Sequence, residues 1–294
     1  MRDYALLLIA DILLAVIFVF NKLYQKREGN SLLSGLRFNI FVGLFITATF
    51  FAVNGFQLHM TSFSFLMVLG MSVFDTSYSL VGFKILKSGS IALYSMFVMA
   101  GGMILPYLWG LLFLGEPFSW LRTFGLLILI AAIIFSNIGD KHNKTNVKML
   151  LLCVLVFVLN GFVSVFSKLH QIETVQPTIS AIEFTMFSGM FKLVMSLVAY
   201  GIIKLVMHKK QTREDRTPNF KFLIPITLAT AVSAGISYAL QLMGASNLPA
   251  TVLYPLITGG SMIFTAIAGI LCFKEKLSKK MIVSLSLCFV GCLM

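Results

Sequence analysis

Charge is what this sequence has least of. Only 12% of its 294 residues are Asp, Glu, Lys or Arg, against 58% hydrophobic, and a soluble chain of this size needs far more charge to cover its surface. The apolar residues fall in runs long enough to cross a bilayer, which takes about 20 residues per helix. Ten such runs leave short loops and no room for a soluble domain within the sequence. Short alternating segments, the mark of a membrane β-barrel, are missing. Cysteine is equally scarce. Cys153, Cys272, Cys288 and Cys292 all lie inside apolar runs, lack metal-ligand spacing and the setting of a disulfide framework, and are read as small buried hydrophobes. His59, His142, His170 and His208 fall in or near loops and form no cluster. No phosphate-binding loop, zinc-protease helix or nucleophile elbow occurs, so nothing supports ATP-driven pumping. No cofactor and no metal are expected.

The apolar runs predict an all-α polytopic membrane protein with spans near 4–24, 34–54, 62–84, 90–114, 119–138, 147–169, 181–206, 221–243, 249–273 and 278–294. The first run follows Arg2 as a secretory signal would. It lacks a small-x-small cleavage site and recurs in the repeat described next, so it is read as a retained span.

The two halves of the chain match in order. Phe20-Asn-Lys-Leu-Tyr-Gln25 aligns with Phe166-Ser-Lys-Leu-His-Gln171, and Arg37-Phe-Asn-Ile-Phe-Val-Gly-Leu-Phe45 aligns with Glu183-Phe-Thr-Met-Phe-Ser-Gly-Met-Phe191. Further on, Tyr78-Ser-Leu80 meets Tyr238-Ala-Leu240, Leu93-Tyr94 meets Leu253-Tyr254, and Gly115-Glu-Pro-Phe-Ser119 meets Lys274-Glu-Lys-Leu-Ser278. The offset changes only at loops. Five spans per half is an odd number, so the halves (1–140 and 141–294) are expected to lie upside down relative to each other around a central cavity. Such inverted repeats are common among secondary transporters, with the solute site near the midplane.

Basic residues outnumber acidic ones, giving a net charge of +12. The excess sits beside the spans rather than in a basic domain, so no nucleic-acid partner is expected. Loops after odd-numbered spans, with their flanks, carry 19 of the 23 Lys and Arg residues, the segment 204–221 alone supplying six. The positive-inside rule makes that face cytoplasmic and puts both termini outside.

Two five-helix repeats, each with a Glu after its fourth helix, then a Ser and a fifth apolar helix, resemble the EamA-type drug/metabolite transporter superfamily. The segments concerned are Gly115–Ser119 leading into Leu126–Ile134, and Lys274–Ser278 leading into Val283–Gly291; Arg37 is similar to the first-repeat pattern as well. The resemblance covers essentially the whole chain. It implies a secondary transporter, often an exporter, of metabolites, amino acids or drugs in the plasma (inner) membrane, with helices 1, 3, 4, 6, 8 and 9 lining the cavity. It also implies cytoplasmic termini, against the charge count. Pro255 early in the ninth span has no counterpart in the fourth, where Ser95-Met96 stands.

An ionisable group deep in a bilayer is costly and is a functional candidate by default. Asp11 in span 1, Asp75 in span 3 and Lys192 in span 7 lie near their span centres. Their repeat mates are Phe157, Gly235 and Ile46, so the duplication explains none of them. They are expected on the solute pathway, one carboxylate taking a cationic group or a coupling proton and Lys192 taking a carboxylate. The plainer reading is a buried Lys–Asp pair that fixes helix packing. Tyr78, Tyr94, Tyr238, Tyr254 and Asn160 form a second tier, as cavity wall or as simple packing. Glu116 and Glu275, each just before a new helix, are expected to be structural helix-end carboxylates. Trp109 and Trp120 read as interface anchors, and Gly101-Gly102 and Gly259-Gly260 as close-packing points.

Two acids and one base suit an amino acid, another small zwitterion or a modest cation. The partners expected are therefore a small solute and the lipid bilayer. A non-transporting receptor or scaffold ordinarily carries a soluble domain, and an intramembrane enzyme needs a catalytic pair such as His with Asp near one interface. Neither feature is visible here.

Overall fold

The structure is a computed structural model and describes residues 2–29, 31–87, 91–137, 147–206, 218–274 and 279–294. Over these residues the chain forms ten helices and no strand: α1 (Arg2–Glu28), α2 (Leu32–Val53), α3 (Ser62–Lys87), α4 (Ile91–Phe113), α5 (Trp120–Asn137), α6 (Val147–Ile172), α7 (Ala181–Val206), α8 (Phe220–Asn247), α9 (Ala250–Phe273) and α10 (Lys279–Leu293). Every sequence-derived span has its helix. α1, α2, α3, α6, α7, α8 and α9 are long and apolar enough to cross a membrane, and α4, α5 and α10 contribute the shorter apolar stretches 97–113, 120–135 and 282–293. Helices suit such a setting because every backbone polar group is satisfied within its own segment. Large apolar side chains such as Leu8, Phe18, Leu66 and Leu151 lie exposed on the outside, where lipid replaces water.

The connections carry their own stop and start signals. α1 ends at Gly29, whose φ of 84° suits the left-handed position that favours glycine after a helix. α2 begins on Ser31, whose side chain accepts from Ser34 N. α7 begins on a capping box: Ser180 N donates to Glu183 Oε2 at 2.9 Å and Glu183 N to Ser180 Oγ at 3.2 Å. In the α6–α7 loop, the backbone N–H groups of Val175, Gln176 and Thr174 hold the Glu173 carboxyl below the usual carboxylate range.

The helices pack across the two halves more than within them. α2 crosses α7, α5 crosses α10 and α4 crosses α9; α1 lies on α8 and α9, and α6 lies on α3 and α4. At the α2–α7 crossing Gly43 faces Gly189, so close that a Cβ at Gly43 would stand 2.7 Å from Leu193 N and 2.8 Å from Gly189 O. At the α5–α10 crossing a Cβ on Gly125 would stand 2.8 Å from Gly291 O, and Ser284 Oγ donates to Ala132 O at 2.7 Å. The register that sets Ser119 against Ser278 also sets Gly125 against Ser284 and Ala132 against Gly291, so these two contacts exchange when the halves are exchanged.

Side-chain contacts identify the two ends of the bundle. At one end, Asn247 at the close of α8 donates to Asp3 at the start of α1 (3.1 Å). There too Glu183 of α7 meets His59 from the α2–α3 loop (3.1 Å). At the other end, Lys22 of α1 lies 4.5 Å over the Phe273 ring of α9, and Arg27 lies 4.4 Å over Phe222 of α8. We call these the terminal end and the basic end.

Candidate functional site

α3 and α7 pack together and bring their two mid-helix charges into contact. Lys192 Nζ lies 3.3 Å from Asp75 Oδ2, with the Lys side chain 32% and the Asp side chain 19% exposed. Neither is sealed in the interior, and neither hangs free. One turn along α3, the Tyr78 ring lies within electrostatic reach of the Asp75 carboxylate. The Asp75 carboxylate also acts electrostatically on Tyr94 of α4 and Tyr238 of α8. Gly82 makes room for one of these rings, since a Cβ there would meet the Tyr94 ring at 2.6 Å.

Tyr238 ties three helices together. Its hydroxyl lies 2.7 Å from Ser167 Oγ of α6 and donates to Met71 Sδ of α3 at 2.9 Å. The structure therefore brings Asp75 of α3 into contact with Lys192 of α7, with Tyr78, Tyr94 and Tyr238 within electrostatic reach of the carboxylate. An acid, a base and phenolic hydroxyls at this depth supply complements for an ammonium, a carboxylate and neutral donors or acceptors.

The other sequence candidates go elsewhere. Asp11 is 4% exposed and faces α9, where a Cβ on Gly260 would strike its Oδ2. Its Oδ1 is buried and has no hydrogen-bond partner. Asn160 Nδ2 donates to Val98 O at 2.8 Å, joining α6 to α4. Tyr254 donates to Ser164 O at 2.5 Å, joining α9 to α6. Trp109 differs from the interface anchor its position suggested: it packs inward, 4.4 Å from the Phe113 ring and 6.2 Å from Phe162 of α6. Trp120 is 70% exposed.

Glu116 stands before α5, yet its carboxylate serves α9. Oε1 accepts from Ala250 N at 2.5 Å and Oε2 from Thr251 N at 2.9 Å. The sequence suggested the adjacent helix because only that one is near in the chain. Glu275 lies outside the described residues. Facing Glu116 across the short α8–α9 turn is Lys168 of α6, a buried residue the sequence offered only as part of the repeat motif. Its Nζ donates to Ala245 O and Leu248 O, both at 2.5 Å, satisfying carbonyls that the end of α8 leaves open. One half thus holds the turn by its N–H groups, while the other holds it by its carbonyls. The signal for Lys168 was present: it occupies the same place as Lys22 in the Phe-x-Lys-Leu motif.

His170, also buried, lies 2.8 Å from Ser64 Oγ of α3, and Ser64 in turn accepts from Ile179 N at 3.1 Å. This network secures the α6–α7 loop. Among the described residues no group of three or more His, Cys, Asp or Glu side chains is placed to hold a metal.

The model of the EamA-like transporter family matches residues 147–294, which begin at the first residue of α6. No curated protein matches the chain in sequence. A crystal structure of another protein superposes on 99% of this chain and 95% of its own, with a TM-score of 0.73 and 13% identity. At that identity the likeness is one of fold.

Proposed function

The chain belongs to the EamA-like transporter family, and from that premise we propose that it is a secondary transporter of a small zwitterionic or cationic solute, working by alternating access. It is an integral membrane protein. The observation that carries the reading is the Asp75–Lys192 pair at 3.3 Å with Tyr78, Tyr94 and Tyr238 around it. Opposite charges in contact within a bilayer offer a zwitterion both of its partners, at the depth where inverted-repeat transporters bind. In this reading Asp75 binds the cationic group, Lys192 the carboxylate, and the tyrosine hydroxyls fix orientation. Asp11 belongs to the α1–α9 contact and serves as the coupling-proton carboxylate.

The scaffold we infer is two inverted five-helix repeats, 1–140 and 141–294, around a central cavity. The Gly43–Gly189 crossing of mated residues supports it, as does the exchange of contacts at α5–α10. The family match over the second half alone is in keeping with a repeat unit of that length. The basic end faces the cytoplasm of the plasma membrane, on the strength of the 19 basic residues near it. Export is the direction the family resemblance favours.

The test is flux from proteoliposomes loaded with pooled amino acids and cationic dyes under an imposed pH gradient. Gradient-dependent efflux lost in Asp75→Asn is the expected result. Efflux unchanged in that variant would return Asp75 to a packing role, and absence of any flux would count against transport itself.

A further inference from the structure

Two seams of the bundle are repeat mates with opposite chemistry. α2 packs on α8, and their mates α7 and α3 pack on each other. The α2–α8 seam is apolar. Val42, Ile46 and Phe50 of α2, spaced four apart, share one buried cluster with Ala239 of α8, and a Cβ on Gly235 would strike the Phe50 ring. In the α3–α7 seam the mates of Val42, Ile46 and Phe50 are Ser188, Lys192 and Ser196, again on one helix face. The mates of Val232, Gly235 and Ala239 are Ser72, Asp75 and Ser79. Each of these positions is polar in one seam and apolar in the other. Polar groups at this depth are costly, and hydrogen bonds between helices are the ordinary reason for keeping them. These serines make none. Ser188 donates to Thr185 O of its own helix at 2.7 Å, the buried Ser72 Oγ has no partner, and among the described residues no hydrogen bond joins a serine of α3 to α7.

The Asp75–Lys192 contact itself limits what can bind. A lone cation on Asp75 displaces Lys192 and strands its ammonium within the membrane, which is strongly destabilising. A zwitterion enters between the two charges and leaves both paired. The pair is partly open to its surroundings, and water, not hydrocarbon, is the medium an ammonium tolerates there. On the terminal side Phe65 closes the seam against Phe191, with 5.7 Å between ring centres. Toward the basic end α7 stays polar through Tyr200 to Lys204, which lies 5.9 Å over that ring. We propose that the α3–α7 seam is a hydrated groove, entered from the basic end, that takes a hydrophilic zwitterion and excludes simple cations. Ser72, Ser79, Ser188 and Ser196 receive the hydrogen-bonding groups of the solute that the two charges leave over. The inference rests on the reading of Asp75 and Lys192 as solute-binding residues, and narrows the solute from zwitterion or cation to zwitterion.

The mated seam supplies the control. Single cysteines replace Ser79, Ser188, Ala239 or Val42 in the full chain freed of its native four, in open membrane fragments. A water-soluble cationic thiosulfonate should modify Ser79→Cys and Ser188→Cys at least about tenfold faster than Ala239→Cys and Val42→Cys, because the reactive thiolate forms only where water reaches it. Pooled amino acids should slow the reaction at Ser79→Cys. Adding Ser72→Val, which installs the residue its mate carries, should weaken that protection severalfold. Tetraethylammonium should leave the unfolding temperature of the unmutated chain unchanged and raise that of Lys192→Met, or of Lys192→Gln if the former does not fold. Equal reaction rates in the two seams overturn the groove. Stabilisation of the unmutated chain by tetraethylammonium, no stabilisation of the Lys192 variants, or no protection by the amino acids overturns the zwitterion; protection that survives Ser72→Val removes the serines. Flux is not read, so a chain that transports through a dry seam keeps the transport assignment and loses this one.

Discussion

At the scale of the residue, the firmest contacts are those made by charge to backbone. Glu116 takes both of its N–H partners from the first turn of α9, where a helix carries orphan donors and partial positive charge. Glu116→Ala strands Ala250 N and Thr251 N and should lower stability by about 1–3 kcal/mol. Glu116→Gln keeps one carbonyl acceptor and should lose less. Thermal unfolding in detergent, followed by tryptophan fluorescence, gives the order; equal losses would mean that volume rather than hydrogen bonding matters at this position. The Asp75–Lys192 pair makes a different demand. Asp75→Asn leaves Lys192 within the membrane without its counter-charge, a situation worse than removing both charges. The double variant Asp75→Asn/Lys192→Met should therefore melt higher than Asp75→Asn alone while still failing to transport. Recovery of flux together with stability would identify the pair as packing and nothing more.

At the scale of the element, the hydropathy runs made every helix legible, because a bilayer allows few alternatives to an uninterrupted apolar helix. Gly43 and Gly189, which the repeat motifs align in sequence, meet face to face. That contact gives an element-level prediction. A methyl group at Gly43 strikes backbone atoms of α7, which cannot move aside singly, so Gly43→Ala should destabilise by about 1–3 kcal/mol or more through overpacking. At Gly244 the nearest neighbour of an added Cβ is the tip of Leu7, 3.0 Å away, and Gly244→Ala should be tolerated. Unfolding temperatures of the two variants, measured side by side, test this: equal losses would mean that the α2–α7 crossing has room for a methyl group. The site was less legible than the helices. Depth within a span picked out Asp75 and Lys192, but depth is a coordinate along one helix and says nothing of azimuth. Asp11, equally deep, points to α9 instead. Lys168 and the true partners of Glu116 escaped for the complementary reason: their ligands are backbone atoms of helices distant in sequence, which leave no mark in the residue types there.

At the scale of the whole molecule, the decisive asymmetry is electrical. The terminal end holds contacts of both signs, Asn247 on Asp3, Glu183 on His59 and Lys168 on the end of α8, while 19 of the 23 Lys and Arg residues lie in or beside the loops after odd-numbered spans. Carrying the six positive charges of 204–221 across a membrane against its resting potential is disfavoured, and the anionic cytoplasmic leaflet attracts them. The basic end should then lie in the cytoplasm and both termini outside, although the family resemblance implies the reverse. The contacts between α6 and α8 would then lie toward the outside. Two single cysteines in a background without the native four decide the matter. Val175, 85% exposed in the α6–α7 loop, marks the terminal end, and Lys274, exposed after α9, marks the basic end. A membrane-impermeant maleimide added to intact cells should label Val175→Cys and should reach Lys274→Cys only after permeabilisation. The opposite labelling would place the basic end outside. It would show that membrane insertion of this chain follows its family's arrangement rather than its own charge, and would assign the terminal end to the cytoplasm.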